Sequence, residues 1–77
     1  MKALIEYIVK SLVDNVDEVH VAEKQTGRKT QLELTVAKED MGRVIGKGGR
    51  IARSIRSLLK VAAEREGQQA TLDVLEP

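Results

Sequence analysis

Three glycines fall within four residues at Gly46-Lys47-Gly48-Gly49, and apolar residues at helical spacing lie on both sides of them. A helix does not run through such a stretch, because each interior glycine costs about 1 kcal/mol relative to alanine. The chain must therefore turn there, between one helix that stops at Gly46 and another that starts at Gly49. Glycine also leaves backbone N–H groups uncovered, and the start of the second helix adds a partial positive charge. A bend alone does not require three glycines in four residues, since each gives up more freedom on folding than any other residue. The stretch reads as a place where something must come close to the backbone.

The surrounding charge says what kind of ligand that is. From Met41 to Lys60 the bases Arg43, Lys47, Arg50, Arg53, Arg56 and Lys60 give +6 with no acid among them, while the other 57 residues carry −5. The formal net charge of +1 hides these two opposed regions. Cations gathered around bare backbone suit a polyanion, a nucleic acid first of all. Two other phosphate motifs fit poorly. A P-loop needs four residues between its glycines and then Gly-Lys-Ser/Thr after a strand, whereas three residues separate Gly42 from Gly46, Gly48 stands in place of the hydroxyl, and a helix precedes. A dinucleotide fingerprint fails because Ile51 occupies the position of its third glycine.

Periodicity supplies the remaining elements. Ile5, Ile8, Val9 and Leu12 predict a helix from Lys2 to about Asp14, with Asn15 as its stop and Tyr7 at the edge of the core. Alternation over Glu18 to Lys24 and Gln31 to Val36 predicts two strands, joined by a hairpin loop at Gln25-Thr26-Gly27-Arg28. A short helix is expected over Lys38 to Ile45, a long one over Gly49 to Glu66 ended by Gly67, and a third strand over Gln69 to Leu75. On the long helix, with Arg50 at 0° and about 100° per residue, Ile51, Ile55, Leu58 and Ala62 fall between about 80° and 140°. That stripe is expected to face the core, with Leu59 at its margin. Arg50, Arg53, Ser57 and Lys60 take the opposite side, where the absence of acids over twenty residues favours an RNA track extending from the loop over a merely solvated face, while Arg56 lies near 240° as a surface residue. Val61 sits among the polar residues beside Ser57, where a β-branched apolar side chain gains nothing from the core, and a homodimer contact is expected at these two positions. The order is α-β-β-α-α-β, an α+β fold with a three-stranded mixed sheet and helices on one face.

Composition removes several classes of function. Seventy-seven residues make a single domain, 1–77, with 42% apolar and 32% charged residues. There is no cysteine, hence no disulfide framework and no thiolate metal ligand. No apolar run exceeds three residues, so no membrane insertion is expected. Met1-Lys2 does not lead into a signal peptide, so a cytoplasmic setting is expected. A single Tyr, with no Phe or Trp, excludes ring-stacking RNA platforms. His20 has no partner at ligand spacing, and Ser11, Ser54 and Ser57 have no nearby His, so no enzyme, metal or cofactor is expected. Arg28 and Lys29 read as solvated turn residues.

The loop Ile45-Gly46-Lys47-Gly48-Gly49 between two helices, with Val44 before it and Ile51, Ala52 and Ile55 after it, resembles the GXXG motif of KH domains. The element order resembles the type II, prokaryotic arrangement, and a chain consisting of little else resembles the small bacterial KH-domain RNA-binding proteins of the KhpA family. The resemblance implies that Gly46, Lys47, Gly48 and Gly49 clamp the backbone of about four single-stranded nucleotides. It also implies that the bases lie in a shallow apolar groove between the two helices and a strand, floored by Val44, Ile45 and Ala52, with Arg43, Arg50 and Arg53 around it. Self-association and pairing with a larger KhpB (Jag)-like RNA-binding protein follow from the same resemblance, as does a non-catalytic role in post-transcriptional regulation or as an RNA chaperone. Two alternatives stand beside it. A helix-turn-helix DNA binder would place polar base-reading residues at the start of the long helix, where Ile51 and Ala52 stand. A protein-interaction adaptor would keep its partners after the loop is made acidic.

Overall fold

The computed structural model describes residues 1–76. Its central hairpin is built around Gly27, whose φ of +60° opens a two-residue turn, Gly27-Arg28, that joins β1 (His20–Thr26) to β2 (Lys29–Thr35). Positive φ at the first central position matches the right-handed twist of the flanking strands. Pairing runs antiparallel from His20↔Thr35 to Thr26↔Lys29, so both strands reach further into the turn than alternation predicted. β2 then pairs in parallel with β3 (Gln69–Val74), with Leu32 opposite Leu72. The sheet order is β1-β2-β3.

Two parallel neighbours need a long crossover, and it contains α2 (Met41–Ile45), the glycine loop and α3 (Arg50–Arg65). With α1 (Lys2–Lys10) the order is α-β-β-α-α-β, the α+β type II KH arrangement with a mixed sheet. Period-2 alternation buries Thr30, Leu32 and Leu34 of β2 on one face of the sheet. Ile5 and Val9 of α1, Val44 of α2, and Ile55 and Leu59 of α3 join Val21, Leu32, Leu34 and Leu72 there in one core. His20, Ala22 and Lys24 point to the open side and are exposed.

Several expectations are corrected. α1 ends at Lys10 rather than Asp14, and the Ser11 hydroxyl donates to the Tyr7 carbonyl at 2.8 Å. Tyr7 is 74% exposed, not tucked at the core edge. The expected short helix over Lys38 to Ile45 is a 3₁₀ turn, Lys38–Asp40, running into α2.

The largest correction concerns α3. Its buried residues are Ala52, Ile55, Leu59 and Ala63, whereas Leu58 is 56% exposed and Ile51 and Ala62 are half-buried. The inward stripe is rotated by roughly 70° from the one that the large apolar residues predicted. Alanines occupy both ends of the buried stripe. The Arg56 Nε–H donates to the Leu72 carbonyl at 3.1 Å and fixes the helix in that rotation. No helix among the described residues is long and apolar enough to cross a membrane.

Candidate nucleic-acid interface

The glycine loop has a backbone that side chains would obstruct. Gly46 has φ +75° and ψ 171°, a region that is essentially glycine's alone. A Cβ there would come within 2.6 Å of Ile51 Cγ1 and 2.9 Å of Ile51 Cβ. Gly48 and Gly49, at φ +65° and +77°, are left-handed, the first exposed and the second half-buried, with nothing in reach of an added Cβ. The Gly46 N–H bonds back to Gly42 O at 2.9 Å, and the Gly49 N–H bonds to Gly46 O at 3.1 Å. Among the described residues, the N–H groups of Lys47 and Gly48 have no acceptor within the chain. Two unpaired donors, the exposed Lys47 side chain and the N-terminus of a sixteen-residue helix thus share one turn.

The other sequence-predicted residues divide by position. Arg50 and Arg53 are exposed, follow the loop directly, and have no carboxylate within ion-pair distance among the described residues. Arg43 also flanks the loop, but one of its terminal nitrogens meets Asp14 Oδ2 at 3.0 Å and its Nε lies 3.7 Å from Asp40 Oδ1. Val44 is wholly buried and Ala52 nearly so, so both support the surface from beneath and offer almost none of their own. Ile45 is 36% exposed and, with Met41, Lys38 and Glu76, lines an open cavity of about 460 Å³ beside the end of β3. Val61 and Ser57 are exposed on α3, and Leu58 adjoins them.

Asp40 holds this region in place, and periodicity gave no sign of it. The side chain is 1% exposed. Its carboxylate accepts the Asp14 N–H at 3.2 Å, the Asn15 N–H at 3.0 Å and the Asn15 Nδ2–H at 3.0 Å. These bonds tie the segment after α1 to the start of α2, and so to the loop. Burial works to raise the Asp40 pKa, but the bonds from Asn15, the Asp14 N–H and the Arg43 charge outweigh it and hold the carboxyl below its ordinary value. A lowered folded-state pKa stabilises the fold above the ordinary Asp range, near pH 4, and that contribution disappears as pH falls through the lowered value. Asp40→Asn is therefore expected to lower the urea midpoint at pH 7, with the gap to wild type closing toward pH 3. A gap that stays constant from pH 7 to pH 3 removes Asp40 from this role.

The comparisons with known proteins agree with this architecture. Residues 2–74 match the family model described as KhpA/KhpB, KH domain. The chain is 51% identical over 75 residues to a Clostridium acetobutylicum protein named RNA-binding protein KhpA, covering 97% of this chain and 100% of the relative. A Clostridium perfringens protein of the same name is 48% identical over 75 residues, with the same shares covered. One from Chlamydia trachomatis, again so named, is 46% identical over 76 residues, covering 99% of this chain and 97% of the relative. With the glycine loop between α2 and α3, the parallel β2–β3 pair and a family match across nearly every residue, the chain belongs to the KhpA/KhpB family of KH domains.

Proposed function

We propose that this protein binds single-stranded RNA without catalysis, holding the sugar–phosphate backbone on Gly46-Lys47-Gly48-Gly49. The observation that carries the reading is the pair of N–H groups at Lys47 and Gly48 without an acceptor among the described residues, beside Lys47, Arg50 and Arg53, which no carboxylate neutralises. Arg50 and Arg53 continue the positive surface, and Arg43 stands on the other flank with its charge shared with Asp14 and Asp40. The bases rest beside Ile45 and Met41, over a floor that Val44 and Ala52 support. The names of the relatives point the same way. A post-transcriptional regulator or RNA chaperone acting in the cytoplasm fits a binder that reads backbone more than sequence.

The test is the double substitution Lys47→Asp, Gly48→Asp. Both side chains point into open space, and aspartate tolerates the left-handed backbone at Gly48 better than most residues. The expected result is an unchanged circular dichroism spectrum with single-strand RNA binding reduced at least tenfold. For wild type, three or four phosphate contacts give a slope of about −2 to −3 in log K against log salt. Equal retention of single-stranded RNA by the variant sinks the reading. Preference for duplex DNA over single strands points to a helix-turn-helix mode in its place.

The exposed pair Leu58 and Val61, 56% and 52% accessible beside Ser57, supports a protein contact on α3, either with a second copy or with a KhpB (Jag)-like RNA-binding protein. Two linked sites raise the avidity of weak clamps by roughly 10²-fold or more. Val61→Lys is expected to convert a dimer to a monomer in sedimentation equilibrium. A dimeric mass that survives the substitution places the contact elsewhere.

A further inference from the structure

Because β2 and β3 run parallel, the chain leaves both strands at the same end of the sheet. After β2 it passes through the buried Val36 and Ala37 into the turn at Lys38, which the Asp40 N–H closes on Ala37 O at 2.9 Å. After β3 the Leu75 N–H still donates to Leu34 O at 2.8 Å, so pairing fixes the backbone up to the residue before Glu76. Lys38 and Glu76, both exposed, thereby come to line one open cavity of about 460 Å³. Met41 and Ile45 of α2 supply its apolar part. They are four residues apart, so they share one face of the helix over about 6 Å. Ile45 precedes Gly46 directly, and the cavity therefore starts where the glycine loop starts.

A carboxylate is out of place beside a loop that binds phosphate. Among the described residues Glu76 makes no ion pair, with Lys38 or with any other cation, so its charge stays free to act on whatever enters. It repels a phosphodiester, and the occupant it admits is neutral with N–H groups to donate. A nucleobase meets both conditions. The volume falls within the range of about 300–1,000 Å³ usual for small-ligand sites. Met41 and Ile45 offer the face of a base thioether and aliphatic contact.

We propose that Glu76 makes this cavity selective for a base with an exocyclic amino group (adenine, cytosine or guanine) and turns uracil away. The proposal rests on the RNA reading above and adds a base preference to it. An ionised carboxylate only accepts hydrogen bonds. The amino groups of adenine, cytosine and guanine donate to it, and unpaired bases leave their Watson–Crick edges free to do so. Uracil has oxygens where those amino groups stand, and its single edge N–H lies between two carbonyls that a carboxylate repels. Lys38, a donor only, takes an acceptor of the same edge.

The experiment titrates wild type, Glu76→Gln and the acidic loop variant with RNA strands of about eight nucleotides, uniform in A, C or U. Wild type is expected to bind the A and C strands about tenfold more tightly than the U strand. Glutamine keeps the shape of Glu76 and adds N–H donors that uracil oxygens accept. In Glu76→Gln the ratio is therefore expected to fall to about threefold or less. Removal of the negative charge strengthens all three strands alike, so the ratio isolates the base contact. An equal ratio in wild type and Glu76→Gln overturns the proposal and leaves the loop reading standing. Wild type that holds U as tightly as A and C overturns it as well. A loop variant that holds all three strands as tightly as wild type removes the loop reading and the base site with it.

Discussion

Gly46→Ala is expected to destabilise the folded domain by about 2–5 kcal/mol, the sum of backbone strain in a glycine-only region and a forced contact with Ile51. The contact is not one that a rotamer change relieves. Two of the three closest atoms, Cγ1 and Cδ1, swing with χ1, but Ile51 Cβ at 2.9 Å is fixed to the helix backbone. Either the first turn of α3 shifts or the loop opens. A domain of this length has a total stability of about 4–12 kcal/mol, so the substitution removes a large share of it. Gly48→Ala is the control: its φ is also positive, at +65°, but its Cβ meets nothing, and about 1–2 kcal/mol is expected. Urea midpoints for the two variants, taken with the m-value unchanged, decide the matter. Equal losses at both positions are incompatible with the close approach of Gly46 to Ile51.

Leu59→Ala is expected to cost about 2–5 kcal/mol, and Leu58→Ala no more than about 0.5 kcal/mol. The two leucines are adjacent in sequence, yet one is 1% exposed and the other 56%. Leu59 packs in the core that also contains Ile5, Leu32 and Leu72, and its truncation leaves a cavity that a small domain has little means to refill. Leu58 has little such packing to lose. Reversal of the two costs restores the rotation that the sequence pattern favoured and contradicts the packing of α3 described above. If Leu58 belongs to the proposed dimer contact, its substitution shows in the oligomeric mass while the monomer keeps its stability.

Local signals were legible where a residue's role depends on its neighbours in the chain. Gly27 announced the hairpin, the alternation from Leu32 to Val36 announced β2, and the glycines between two apolar periods announced the loop. The rotation of α3 escaped because Ala52 and Ala63 add little hydrophobic weight, while Leu58 and Ile51 add a great deal on the wrong side. A buried position can take an alanine for lack of room, whereas periodicity weighs only apolarity. Asp40 carries no mark of burial in its local sequence. Its partners Asp14 and Asn15 lie some 25 residues away, and only the folded chain brings them together. Arg56 reads as plain surface for the same reason, since the Leu72 carbonyl that it bonds comes within reach only in the folded chain.

The parallel alignment of β2 with β3 bears on how the protein is made. The hairpin of β1 and β2 closes between near neighbours, whereas Leu32 must wait for Leu72 across a span of 40 residues. Non-local pairing of this kind is slow, because chain entropy is lost before the contact repays it. The glycine turn lies inside that span, and its scaffold is complete only once the final strand has docked. During synthesis β3 leaves the ribosome after everything it must hold in place, so a nascent chain exposes the cationic loop before it can present it rigidly. Acquisition of RNA binding is accordingly expected to track the docking of β3 and to lag behind the appearance of helical signal in refolding.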